Sequence, residues 1–348
     1  MIIPRYCDSR RGAGKFRPEA VEETMRIFRA IAAAGLAVSA LAMGASGSAA
    51  AEYPERNVTM YVAYSPGGGT DVMARTLIPY LEKYLPGDGS IVVENKPGAG
   101  GEIGFTAIAT AENDGYSIGM INVPAVVTPL IQRTPGYDLD SFETLGNVVS
   151  DPGTIVVRED SEFQTLDDLV TYVRENPGSL PIGNSAIGGS THTALLRFLG
   201  MADLEVTHVP FPGSAPSRTA LLGGHVAASI MGLGEAGPYH QEGKLRILGT
   251  MASERWDEVP EAPTFKELGY DIVAGSDRGL VAPAGIPEDA ATALAEAVRQ
   301  AVADPEFQEE ARKQLLPLNY LPPKEHREHL AETLTKMEEV WERTPWGK

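Results

Sequence analysis

The stretch "YSPGGGTD", Tyr64 to Asp71, has the residue types of a backbone that contacts a bound group directly. Three consecutive glycines, Gly67 to Gly69, leave their N–H groups uncovered by side chains. Thr70 is a favourable helix N-cap, and an acidic residue after it favours the first helical turn. Amides at a helix N-terminus suit an anion. We therefore predict an anion site here, with a tight turn that needs glycine for its geometry as the alternative.

Two later loops have the same character. "SAIGGSTH" offers hydroxyl and imidazole groups that suit a carboxylate, and "FPGSAPSRT" enters a helix through small residues. The candidate residues in these loops are Ser185, Ser190, Thr191, His192, Ser214 and Ala215. Three helix N-termini that converge would stabilise one carboxylate by partial positive charge. The alternative is a set of ordinary helix caps with a surface histidine.

A fourth candidate is "GSDRGL", Gly275 to Leu280. The guanidinium of Arg278 has the planar fork that binds a carboxylate, so it is a candidate for a second carboxylate of a ligand. Asp277 and Arg278 are equally well explained as partners of other protein charges.

Nucleotide-binding motifs are incomplete. The spacing from Gly183 to Gly188 resembles a phosphate-binding loop, but Gly189 stands where that motif needs lysine. "GAGGEIG" resembles a dinucleotide fingerprint but has Ile103 at its third glycine position. We expect no nucleotide and no other cofactor.

Catalytic and metal-binding patterns are also missing. The only cysteine is Cys7, no G-x-S-x-G sequence occurs, and no H-E-x-x-H sequence occurs. His326 and His329, one turn apart in "EHREHL", are predicted to lie on a solvated helix face. We therefore predict neither a catalytic residue nor a metal site.

The elements that must position these loops alternate between strand and helix patterns. Apolar runs at Val58–Tyr64, Ser90–Asn95 and Tyr116–Val123 predict strands, and helical spacing separates them. This order is typical of an α/β fold with a parallel sheet covered by helices. The chain has two candidate crossing strands, Gly146–Val157 outward and Ile272–Leu280 on return. We therefore predict two lobes with a ligand cleft between them, because open α/β sheets bind ligands at the carboxyl ends of their strands.

The predicted division is residues 52–150 with 275–348 for lobe one, and 151–274 for lobe two. Residues 25–51 read as a secretory signal peptide with two arginines, a short apolar run and an Ala-rich cleavage pattern. Residues 1–24 read as an upstream extension. We therefore expect a periplasmic protein, whose mature chain has no cysteine.

The net charge of the chain indicates which classes of partner are disfavoured. The chain has 29 Lys and Arg against 47 Asp and Glu, a net charge of −18. Without residues 1–51, which hold seven basic and four acidic residues, the net charge is −21. Such a surface disfavours nucleic acid. No long apolar stretch follows Ala51, so we expect a mature protein that is not membrane-inserted. We also expect a monomer.

Several of these stretches together resemble the Bug family, the extracytoplasmic solute-binding receptors of tripartite tricarboxylate transporters. The resemblance rests on "YPERNVTMYVAYSPGGGTDVMARTL", "GNSAIGGSTHTALLRF" and "VTHVPFPGSAPSRTALLGGHV", and it extends in order over residues 52–340. It implies the two-lobed type II periplasmic binding protein fold. It also implies a small organic carboxylate as ligand and a two-component membrane permease as partner.

The resemblance further implies that one carboxylate is held between the first βα loop and the Gly/Ser/Thr-His loop of the other lobe. By position this implicates Gly68, Gly69, Thr70 and Asp71 in lobe one, and Ser185, Ser190, Thr191 and His192 in lobe two. Ser214 and Ala215 are expected to line the same pocket. Arg278 is similar to the arginine of members proposed to take di- or tricarboxylates, whereas Asp277 would favour a ligand with an amino group.

Two other functions remain open at this point. A ligand-binding protein that feeds a sensor kinase would share the same cleft. A secreted α/β enzyme acting on carboxylic acids would need a nucleophile and base that the sequence does not display.

Overall fold

A single strand of 17 residues, β4 (Phe142–Arg158), runs through both halves of the sheet. The structure, a computed structural model, describes residues 53–343, 345 and 346. The predicted upstream extension 1–24 and signal peptide 25–51 lie outside the described residues. The division of the remainder at residues 150 and 275 stays a prediction.

Ten strands are found in the described residues. They are β1 (Val58–Val62), β2 (Ile91–Asn95), β3 (Ser117–Val123), β4 (Phe142–Arg158), β5 (Pro181–Asn184), β6 (Thr207–Pro210), β7 (Ala228–Gly232), β8 (Leu245–Thr250), β9 (Gly275–Pro283) and β10 (Leu318–Leu321).

Ten α-helices accompany them in the same part of the chain. They are α1 (Gly69–Tyr84), α2 (Glu102–Ala109), α3 (Thr128–Gln132), α4 (Leu166–Glu175), α5 (Ser190–Ala202), α6 (Ser214–Leu222), α7 (Leu233–Gln241), α8 (Glu288–Ala303), α9 (Pro305–Lys313) and α10 (Pro323–Arg343). Short 3₁₀ turns precede α2 and β4.

The strands form one mixed sheet in the order β2-β1-β3-β9-β4-β7-β5-β6. In its first half β1 is parallel to β2 and β3, and in its second half β5 is parallel to β6 and β7. The antiparallel strands β4 and β9 lie between these groups. The first part of β4 pairs with β9, and its last part pairs with β7 and β8. The chain therefore passes between the two parallel groups along β4.

The described residues form four buried apolar clusters, and the two largest lie in different halves of the sheet. Met60, Leu77 and Leu294 belong to the core of the first half, whereas Phe198 and Phe265 belong to that of the second. Burial of one such side chain contributes about 1.5–3 kcal/mol. The two largest clusters are separate, so each half has its own packing.

Local sequence signals fix several element ends. The Thr165 hydroxyl accepts from the amide of Asp168 at 3.2 Å, and the Asp168 carboxylate accepts from the amide of Thr165 at 2.8 Å. This capping box fixes the start of α4, and its Thr-x-x-Asp spacing is a local signal in the sequence. Prolines 305 and 323 begin α9 and α10, since proline suits a first helical turn. Strand β10 between these helices is not predicted by the sequence reading.

Three of the helices begin within a few residues of a parallel strand's carboxyl end. Helix α1 follows β1, α5 follows β5 and α6 follows β6. Their N-termini therefore face the space between the two parallel groups, as the sequence predicts. None of the described helices has the length and apolar character needed to cross a bilayer.

The prediction for His326 is wrong. Its side chain is fully buried under β9 rather than solvated. A Cβ on Gly279 would lie 2.6 Å from its Nε2, so glycine at that position makes room for the ring. Burial, with a smaller effect from neighbouring His329, lowers the pKa of His326 to about 4.

This burial makes stability depend on pH. In the unfolded chain a histidine has a pKa of about 6.5, so protons bind that state first as pH falls. The contribution of His326 to stability is therefore complete above about pH 6.5 and is lost towards pH 4, with about 2 kcal/mol gone at pH 5. Urea unfolding at pH 7 and pH 5 measures the loss. We expect His326→Gln to lose about 2 kcal/mol less than the wild type over this interval, and equal losses would contradict the assignment.

Candidate functional site

The loops after β1, β5 and β6 meet β9 and α7 around a small enclosed cavity of about 20 Å³. Its lining consists of Tyr64, Gly68, Gly69, Thr70, Asn122, Ser185, Ser190, Thr191, Ser214, Glu235, Ser276 and Arg278. That volume holds roughly one water molecule. We call this space the inner cavity.

Eight of the predicted site residues line the inner cavity. They are Gly68, Gly69, Thr70, Ser185, Ser190, Thr191, Ser214 and Arg278. Four others, Asp71, His192, Ala215 and Asp277, lie outside its lining. Sequence reasoning missed Tyr64, Asn122, Glu235 and Ser276.

The glycine loop forms the predicted amide-rich helix start. Gly67 adopts a left-handed φ of +76°, which favours glycine, and α1 begins at Gly69. The first amides of a helix have no acceptor within it, so α1 presents donors to the cavity. The Gly68 position is also close to α6, because a Cβ there would lie 3.9 Å from the amide nitrogen of Ala215.

Asp71 supports this loop from behind. Its carboxylate accepts from the Gly67 amide at 2.9 Å, from Arg75 Nε at 3.1 Å and from Asn95 Nδ2 at 2.9 Å. Burial by itself would raise the pKa of Asp71, but these hydrogen bonds outweigh it and hold the pKa below its usual range. The side chain therefore fixes the loop conformation and stays charged.

A carboxylate from the chain itself occupies the helix start. Glu235 Oε1 accepts from the Gly69 amide at 2.5 Å, and its Oε2 accepts from the Gly232 amide at 2.9 Å. A Cβ on Gly69 would lie 2.7 Å from the Glu235 Cγ, so the glycine permits this approach. Glu235 thus links the N-terminus of α7 in one half to that of α1 in the other.

Arg278 lies beside this contact in a buried ionic cluster. Its Nη2 is 2.8 Å from Asp151 Oδ2 and 3.9 Å from Glu235 Oε1. Burial raises the pKa of Asp151 to about 6 although Arg278 opposes the shift. Burial would lower the pKa of Arg278, but the two carboxylates outweigh it and raise that pKa. The charge of Arg278 is therefore offset by the protein's own carboxylates, the alternative that the sequence left open.

Strand alternation separates Asp277 from Arg278. Successive residues of a strand point to opposite faces, so Ser276 and Arg278 reach the inner cavity and Asp277 does not. Asp277 Oδ2 instead lies 2.7 Å from His329 Nε2 on α10. The period-two pattern of an extended segment is enough to predict this split.

The loop before α5 supplies hydroxyl groups. Ser185 Oγ and Thr191 Oγ1 form a hydrogen bond of 2.8 Å, whereas the buried Ser190 Oγ has no hydrogen-bond partner among the described residues. His192 is turned away: its Nδ1 accepts from the Gly188 amide at 3.1 Å. Burial, with a smaller effect from His208, lowers the pKa of His192 to about 4, so the ring is neutral near pH 7.

The missed residues connect strands to this loop system. Asn122 Nδ2 donates to Thr70 Oγ1 at 3.0 Å and to Ser276 Oγ at 2.9 Å. Asn122 is a polar residue in the apolar run "GMINV", which is a usable signal in the sequence. Glu235 has no such signal, because nothing local indicates that its carboxylate reaches a loop 166 positions away.

Removing the cation from the buried cluster tests its structural weight. Arg278→Met would leave the Asp151 carboxylate buried without its partner, so we expect a loss of about 3–5 kcal/mol in unfolding free energy. Asp277→Asn in the same strand breaks only a partly exposed pair and should cost less than about 1 kcal/mol. Denaturant unfolding of both variants at pH 7 makes the comparison, and similar costs would argue against a buried cluster centred on Arg278.

Comparison with known proteins identifies the family. Residues 73–344 match the model of the tripartite tricarboxylate transporter family receptor. BugT of Bordetella pertussis is 32% identical over 265 residues, which cover 75% of this chain and 80% of the relative. A Cupriavidus necator protein known by its position in the gbd 5' region is 30% identical, with 91% of this chain and 98% of the relative covered.

Solved structures agree. The periplasmic binding protein BugD superposes with a TM-score of 0.79 at 30% identity, covering 84% of this chain and 98% of its own. MatC from Rhodopseudomonas palustris with bound malate superposes with a TM-score of 0.76 at 26% identity, covering 83% of this chain and 99% of its own. A second R. palustris structure, with adipate, superposes with a TM-score of 0.77 at 27% identity, covering 84% of this chain and 98% of its own. The predicted fold and the predicted resemblance are confirmed, and this chain belongs to the receptor family of tripartite tricarboxylate transporters.

Proposed function

We propose that this receptor captures a small organic carboxylate in the periplasm and delivers it to a two-component membrane permease. The observation that carries the proposal is the contact between the Gly69 amide and the Glu235 carboxylate. A helix start that holds the Glu235 carboxylate has the amide donors and the partial positive charge to hold a ligand carboxylate in its place. The malate and adipate in the two R. palustris structures support the same class of ligand.

The ligand carboxylate would take the position of Glu235 at the start of α1. It would also accept from the Ser190 hydroxyl, which has no partner in the described structure and lies in the opposite wall. Hydrogen bonds from both halves to one anion make the closed form more stable than the open form when ligand is bound. Because the inner cavity holds about one water molecule, Glu235 must move or the halves must separate before the ligand enters.

The role we propose is binding without chemistry. The Ser185 hydroxyl is engaged by Thr191 and the His192 Nδ1 by a backbone amide, so neither forms a nucleophile and base pair with the other. No group of three metal-ligating side chains occurs among the described residues.

A thermal-shift series of organic acids tests the proposal. We expect at least one acid among malate, succinate, adipate and citrate to raise the melting temperature at pH 7. At 100 times the dissociation constant the stabilisation is about 2.7 kcal/mol. A wild-type protein that is stabilised by none of these acids would contradict carboxylate capture.

Two buried serines provide the matched variants. Ser190→Ala removes a hydroxyl with no partner in the described structure, so we expect unchanged stability and about tenfold weaker binding of the acid. Ser217→Ala removes a hydroxyl 2.6 Å from that of Ser229, outside the inner cavity, and should lower stability without changing affinity. Equal affinities of the two variants would exclude Ser190 from the ligand site.

A further inference from the structure

A larger groove continues outward from the inner cavity. It has a volume of about 820 Å³ and shares Gly69, Glu235 and Arg278 with the cavity lining. Its walls come from α1, α6 and α7, with residues of α9 at the far side. We call it the outer groove. A ligand whose carboxylate reaches Gly69 would have its remaining atoms in or beside this groove.

Four cationic side chains line the groove, and three of them have carboxylate partners. Arg75 pairs with Asp71 at 3.0 Å, and Lys313 lies 3.8 Å from Glu309. Arg278, at the boundary with the inner cavity, pairs with Asp151. These three charges are offset by carboxylates of the protein, although Nε and Nη1 of Arg278 have no hydrogen-bond partner among the described residues.

Arg218 differs from them. It forms no ion pair with any carboxylate in the described part of the chain, although the chain as a whole is strongly acidic. Its guanidinium carbon lies 4.6 Å from the centre of the Tyr239 ring, and its Nη2 donates to the Gly67 carbonyl at 3.3 Å. The cation–π contact and the hydrogen bond restrain the guanidinium, which reduces the entropy lost when it binds a carboxylate.

Arg218 is also close to the first anion site. Arg218 Nη2 lies 3.3 Å from the Gly67 carbonyl oxygen, and the chain from Gly67 to Gly69 spans at most about 7 Å, so the guanidinium lies within about 10 Å of Gly69. Two anion-binding points within this distance suit the two ends of a short dicarboxylic acid.

We infer that Arg218 binds the second carboxylate of a dicarboxylate ligand whose first carboxylate lies at the start of α1. The inference rests on the proposed function and names its substrate class. It places the distal specificity at Arg218 in the outer groove and not at Arg278. Arg218 approaches from the half opposite to α1, so the second carboxylate adds another link between the halves.

Titration calorimetry with matched acids tests the inference. The pairs are succinate with butyrate and adipate with hexanoate, each titrated into the wild type, Arg218→Gln, Arg218→Lys and Lys313→Gln. The wild type should prefer the dicarboxylate. Arg218→Gln should weaken dicarboxylate binding about 10- to 100-fold and monocarboxylate binding less than about threefold. Arg218→Lys keeps the charge without the fork and should recover part of the loss.

Lys313→Gln is the matched control, because it removes a charge from the same groove where a carboxylate already lies nearby. It should change the affinity for both acids of a pair by the same factor, which should be less than about threefold. The inference would be overturned if Arg218→Gln lost the same affinity for both acids of a pair, or if the wild type did not prefer the dicarboxylate. Either result would leave the proposal of carboxylate capture intact. Binding of no acid to the wild type would overturn the proposed function and the inference with it.

Discussion

The arrangement of the elements around the cleft depends on one buried carboxylate, which needs hydrogen-bond partners. Glu235 is about 8% exposed, and a charge so far from water is costly unless hydrogen bonds replace its hydration. It receives them from the amides of Gly69 and Gly232, which start helices in opposite halves of the molecule. Arg278 and Asp151, on the two crossing strands, complete the charge balance beside it. The same contacts that satisfy Glu235 therefore fix how the halves meet.

This arrangement explains how an acidic protein can bind an anion. A net charge of −18 opposes the approach of a carboxylate only through a field that salt screens over about 10 Å. We propose that at contact distance the amides of α1, the Ser190 hydroxyl and the Arg218 guanidinium determine the interaction. On our account the ligand competes with Glu235, so affinity reflects the difference between two carboxylates at one site. A specific ligand gains its advantage from contacts that Glu235 cannot make, above all at Arg218.

The sequence was sufficient for features that depend on neighbours along the chain. The glycine loop, the capping box at Thr165 and the proline starts of α9 and α10 are local signals, and the structure contains each of them. The loops that converge on the inner cavity followed from the order of strands and helices, because parallel strands bring their carboxyl ends to one edge.

What sequence reading missed depends on contacts between distant residues. The partners of Arg278 lie on β4 and α7, and those of Glu235 on the α1 loop, so neither could be assigned from spacing. His326 is buried because Gly279 on another element leaves room for it. Asp277 is a different case, since strand alternation alone separates it from Arg278 and was available from the sequence.

The most direct measurement of the central claim is a crystal structure of the protein with malate or adipate bound. Our account predicts one ligand carboxylate within hydrogen-bond distance of the Gly69 amide and the Ser190 hydroxyl, with Glu235 displaced from that amide. A ligand bound elsewhere, with Glu235 still on Gly69, would contradict it.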